Sequence, residues 1–259
     1  MTLERCYDAV KPILGVGAEP FSVVQCVDQH REYWRPERVH TILLAESHVR
    51  TDVVHCIPMN PRNPIALSDG MAGSTSKFAR FVYCLGYGEN EYAGFNPGKN
   101  DDGTWQYWKI FSSCVAQPSK ESFARILKGG NPKYESRLNS KIALLHQLKA
   151  MGVWLVDASV VALYRPGGGK PSQKNQEKII QYCWDNYVGN LVKSEKPHSI
   201  IVIGNGVKKA LCSRLETLSG VERRDVAKPQ KRMSTTEIAK THQIYFEVCQ
   251  QAMKSRTAG

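Results

Sequence analysis

Short apolar runs of strand length recur along this chain, each ending in small or polar residues and separated from the next by helical spacing. The first is Thr41-Ile42-Leu43-Leu44-Ala45, an unbroken apolar and β-branched run that predicts a strand buried on both faces, as in a parallel sheet. Gly152-Val153-Trp154-Leu155-Val156-Asp157 is the second. Ser199-Ile200-Ile201-Val202-Ile203 is the third, followed by the glycine turn Gly204-Asn205-Gly206, and Asp225-Val226-Ala227 predicts a short fourth. Helical patterns cover residues 3–14, 21–34, 118–150, 173–193 and 207–218. A capping box, Ser234-Thr235-Thr236-Glu237, opens a last helix that runs to about Met253. Residues 51–75, with Pro58, Pro61 and Pro64, read as loop over the sheet edge. Phe78 to Leu85 fits a helix or a strand, and periodicity does not decide between them.

Strands alternating with helices predict a three-layer α/β/α fold around a central, mostly parallel four-stranded sheet. A single domain over residues 1–259 is expected, with N-terminal helices in 1–38, a core in 40–235, and a C-terminal helix and tail in 236–259.

The strand ends carry the candidate chemistry. Glu46-Ser47-His48 follow the first strand and Asp157 ends the second, where ligands of open α/β sheets collect. Lys228-Pro229-Gln230-Lys231-Arg232-Met233-Ser234 follows the fourth and leads into a helix N-terminus, whose free N–H groups attract phosphate. Met233 among these cations is either a staple onto the helix or a wedge for a base stack. Tyr87 to Phe111 sets seven aromatics among glycines, which suits a stacking surface for bases and equally a cluster anchoring a long loop. Gly167-Gly168-Gly169-Lys170 lacks the P-loop spacing and reads as a flexible connection.

A net charge of +11 and a pI of about 9.3 point to an anionic partner, nucleic acid first and an acidic membrane surface second. Lys120, Arg125, Lys128, Lys133, Arg137, Lys141 and Lys149 face only Glu121 and Glu135 within residues 118–151. The eight cysteines include no C-x-x-C pair, which argues against a zinc or iron–sulfur site and reads as reduced, buried thiols. No secretion signal follows Met1, and no apolar run approaches membrane-spanning length, so an intracellular protein without membrane contact is expected. Neither cofactor nor metal is expected.

The order of the strand ends resembles the uracil-DNA glycosylase superfamily. Ala45-Glu46-Ser47-His48-Val49 is similar to that family's GEAPG motif, with Glu46 matching its acid. Asp157 stands where the family carries a base-reading asparagine. Ser199 to Val207 resembles the following strand and turn, and Lys228 to Ser234 is similar to the H-P-S loop with one extra residue. The likeness spans residues 40 to 235, with every motif altered: Ser47 replaces a water-positioning aspartate or asparagine, and Lys228 replaces the histidine. It implies a monofunctional DNA glycosylase that flips a nucleotide and hydrolyses its N-glycosidic bond. Glu46, Ser47, His48, Asp157 and Lys228 are the implied catalytic residues, and Ala45, Val49, Tyr87 and Asp157 the implied base contacts. Arg50, Lys170, Asn205 and residues Lys228, Pro229, Gln230, Lys231, Arg232, Met233 and Ser234 are the implied DNA contacts. An ionised Asp157 only accepts hydrogen bonds, which suits a deaminated or modified base other than uracil. One alternative is a nucleic-acid binder that kept the fold and lost the chemistry. The other is a hydrolase using Ser47 and His48, although no G-x-S-x-G elbow is present.

Overall fold

The computed structural model describes residues 1–60, 77–96, 104–164, 169–228 and 233–257. Four strands form one sheet: β1 (Thr41–Ala45), β2 (Val153–Asp157), β3 (Ser199–Ile203) and β4 (Glu222–Val226), in the order β2-β1-β3-β4 and parallel throughout. Every residue of β1, β2 and β3 is buried, as expected of strands covered on both faces.

Among the described residues the helices are α1 (Leu3–Leu14), α2 (Phe21–Tyr33), α3 (Asn90–Ala93), α4 (Trp105–Val115), α5 (Lys120–Ala124), α6 (Tyr134–Ala150), α7 (Gln173–Cys183), α8 (Gly189–Glu195), α9 (Asn205–Glu216) and α10 (Thr235–Thr257). The β1–β2 crossover carries α4 and α6, which pack on each other, with α6 against β2. Next to α4 lies α10, which also reaches β1 and β3. α9 packs on β3, β4 and α7, and α7 packs on α1. This arrangement is compatible with three α/β/α layers.

Helix boundaries follow their chemistry. The Ser234 hydroxyl accepts from Glu237 N at 3.2 Å, and the Glu237 carboxylate accepts from Ser234 N at 2.7 Å, completing the expected capping box. Four segments differ from the sequence reading. The aromatic stretch Tyr87 to Phe111, expected as a glycine-rich loop, holds the helices α3 and α4. Phe78 to Leu85 is neither helix nor strand but a chain of buried turns. Phe78 N donates to Ile57 O, Ala79 N to the Cys84 sulfur and Arg80 N to the Thr51 hydroxyl, while Phe81 N and Cys84 N donate within the segment, partners that stand in for a regular ladder. β4 begins three residues before the expected strand, because Glu222, Arg223, Arg224 and Asp225 hide an exposed edge strand from an apolar-run test. Residues 173–193 are two helices joined by a π turn, Trp184–Val188.

Candidate functional site

β1 is followed in sequence by β2 on one side of it in the sheet, while β3 and β4 lie on the other. The boundary between β1 and β3 is therefore the switch point, where crossovers leave in opposite directions and open a crevice at the carboxyl ends. A cavity of about 640 Å³ lies there. Glu46 and Ser47 after β1, Gly204-Asn205-Gly206 after β3, and Ala227 and Lys228 after β4 line it. Tyr87, Trp105, Tyr107 and Tyr164 supply aromatic walls, and Val49, Lys170 and Met233 complete the rim.

Glu46 is held at the start of α9. A Cβ at Gly206 would lie 3.0 Å from its Oε1, so glycine permits the carboxylate's close approach to the first helical turn. Gly204, at φ +96°, provides the left-handed turn that starts the helix. Lys170 Nζ donates to Glu46 Oε2 at 3.0 Å. Lys228 lies deeper, with its Nζ 5.0 Å from the Tyr107 ring centroid. Burial pushes the Lys228 ammonium below its usual pKa; Glu46 opposes that shift and the charge of Lys170 adds to it. Burial raises Tyr107, with the charges of Asp157 and Glu46 adding, and burial pushes Tyr87 up to about 12. Both phenols therefore remain neutral donors.

His48 and Asp157 do not line this cavity. Their side chains turn inward to a buried cluster, with His48 Nε2 at 2.5 Å from Glu19 Oε1 and Nδ1 at 3.5 Å from Asp157 Oδ2. Burial alone would lower the imidazole pKa, but the charges and hydrogen bonds of Glu19 and Asp157 lift it to about 10. Glu19 also accepts from Ala162 N at 2.9 Å, tying the start of the chain to the segment after β2. His48 and Asp157, expected at the pocket, thus lie outside its lining, the imidazole being held between Glu19 and Asp157.

Ser47 lines the rim, but its Oγ donates to His48 O and accepts from Leu163 N, both at 3.1 Å. The Ser47 hydroxyl and the His48 imidazole are thus engaged with different partners and do not bond to each other. Ala45 is fully buried beneath the floor rather than exposed for base contact. Arg50 lies outside the lining; its guanidinium donates to Gly17 O and pairs with Asp52.

Of the remaining expected residues, Val49, Tyr87, Lys170, Asn205, Lys228 and Met233 line the cavity, and Ser234 is an exposed helix cap. Pro229, Gln230, Lys231 and Arg232 lie outside the described residues. Sequence reasoning did not single out Trp105, Tyr107 or Tyr164 as site residues. Tyr107 and Trp105 belong to the aromatic stretch, most of which serves packing: Trp108 and Phe111 are fully buried in the core.

The basic segments are less free than their composition suggests. Arg137 and Lys141 are buried against Glu89, Lys149 donates to Tyr33 O, Arg223 pairs with Asp225, and Arg224 pairs with Glu222. All eight cysteines are free thiols, most of them buried. No group of three or more His, Cys, Asp or Glu side chains among the described residues could hold a metal ion, and none of their helices is long and apolar enough to cross a membrane. No family model, curated protein or solved structure matches the chain.

Proposed function

We propose that this protein is a uracil-DNA glycosylase-like protein that binds DNA, receives a flipped nucleotide in the switch-point cavity and excises a damaged or modified base. One observation carries the reading: Glu46 from the end of β1 and Lys228 from the end of β4 face the same aromatic-walled cavity. Its volume of about 640 Å³ lies within the usual range for small-molecule sites, and a base needs stacking walls of the kind that Tyr107, Trp105 and Tyr87 provide. The amide end of α9 and the two lysines favour an anionic backbone at the mouth.

In this reading, cleavage of the N-glycosidic bond leaves positive charge on the sugar and sends the bond's electron pair to the departing base. Glu46 stabilises the sugar cation and accepts a proton from the attacking water. Lys228 faces the departing base, and in its protonated form supplies positive charge there. Asp157 contributes through His48 and through its field at Tyr107, not by touching the base.

The test is a panel of duplexes, each carrying a different lesion, incubated with wild-type protein and with Glu46→Gln. Free base and an abasic site are expected from at least one lesion, with the rate falling about 10²–10⁴-fold in the variant. Absence of an abasic product from every lesion refutes excision, as does equal cleavage by both proteins. A non-catalytic binder is the second reading, favoured by the Lys170–Glu46 ion pair that neutralises the carboxylate. Salt-dependent binding without any product supports it.

A further inference from the structure

We propose that Lys228 is an amine nucleophile whose substrate is the aldehyde of a ring-opened abasic sugar, giving the cavity a DNA-strand-cleaving lyase activity. This deepens the nucleic-acid reading above and rests on it. The two cavity lysines are built differently. Lys170 is substantially exposed and its Nζ is hydrogen-bonded to Glu46. Lys228 is largely enclosed between the end of β4 and α4. Among the described residues its Nζ has no hydrogen bond or ion pair, and it lies over the Tyr107 ring. An amine becomes a nucleophile when its protonated form is disfavoured by desolvation or by a neighbouring cation. Lys228 has both, because burial and Lys170 act in the same direction and outweigh the carboxylates. Glu46, lining the same cavity, can relay the protons that imine formation requires.

The chemistry closes without an oxidant or cofactor. The Lys228 lone pair adds to C1′ of the aldehyde, and the carbonyl oxygen gains a proton to give a carbinolamine. A second proton, delivered through Glu46, lets water leave and forms the protonated imine. Loss of a C2′ proton then drives electrons toward the iminium while the C3′–O bond breaks. The 3′ phosphate departs with that bond's electron pair. Water hydrolyses the imine, restores the Lys228 amine and releases the unsaturated aldehyde.

The test uses the full chain and a duplex carrying a preformed abasic site, so no base excision is needed. Sodium cyanoborohydride reduces any imine to a stable amine, and peptide mapping by mass spectrometry identifies the attached residue. The expected result is a covalent protein–DNA adduct at Lys228, lost in Lys228→Arg and Lys228→Met, with strand scission lost in parallel when reductant is omitted. An adduct mapped to any other amine overturns the proposal, and this wild-type readout holds whether or not the variants fold. Binding of the abasic duplex by fluorescence anisotropy without an adduct overturns the lyase activity and leaves the DNA-binding reading standing. No binding to abasic or intact duplex at low salt overturns both.

Discussion

Two glutamates in this protein each face two basic side chains, and the pairings have opposite characters. Glu89 is fully buried beside α3, and Arg137 and Lys141 reach it from one face of α6, a helical turn apart. Arg137 donates to both carboxylate oxygens, at 2.8 and 2.6 Å, and Lys141 donates at 2.6 Å. Glu46 at the sheet's carboxyl edge is partly exposed; Lys170 bonds to it, and Lys228 stands off over an aromatic ring. The first triad is saturated with hydrogen bonds and closed to any ligand. The second leaves an amine and part of a carboxylate facing a cavity. The same residue types serve structure or chemistry according to how completely they satisfy one another.

Removing one charge from each triad separates them most clearly. Glu89→Gln strands two buried cations and should lower stability by about 3–5 kcal/mol, read from urea unfolding. Glu46→Gln breaks only an exposed pair and should change stability by about 0–1 kcal/mol. Equal losses would mean that the two triads do not differ in this way.

The buried imidazolium gives a pH-dependent counterpart. His48 is held at about 10 in the folded protein, against 6.5 for a free imidazole, so folding strengthens its hold on the proton. Its contribution to stability is complete below about pH 6.5 and is lost as pH rises through about 10. The urea midpoint of the wild-type protein should therefore fall across that window, and His48→Gln should start lower and flatten the decline. A variant with the wild-type slope would remove His48 from the account.

The smallest expected effect belongs to Lys170. Lys170→Ala should leave stability within about 1 kcal/mol of wild type and reduce the salt slope of DNA binding by about one. An unchanged slope would place Lys170 away from phosphate.

The sheet was legible in the sequence because β1, β2 and β3 are continuous apolar runs, the one pattern that a strand covered on both faces requires. β4 was only half legible, since an edge strand built from Glu222, Arg223, Arg224 and Asp225 reads like surface. Glu46 and Lys228, both marked by strand ends, line the cavity, while Asp157, marked by the same logic, does not. Asp157 turns to His48 because Glu19, 29 residues earlier, holds the other imidazole nitrogen, and no local pattern announces such a partner. Charge counting overstates the free basic surface for a related reason: the formal excess over residues 118–151 includes Arg137 and Lys141, whose partner Glu89 lies in a different segment.

The most direct measurement is a crystal structure of Glu46→Gln bound to a duplex carrying whichever lesion of the panel binds most tightly. The account predicts an extrahelical nucleotide with its base against Tyr107 and its sugar facing Lys228 and position 46. A base left stacked in the helix, or DNA docked on another face with the cavity vacant, would contradict it.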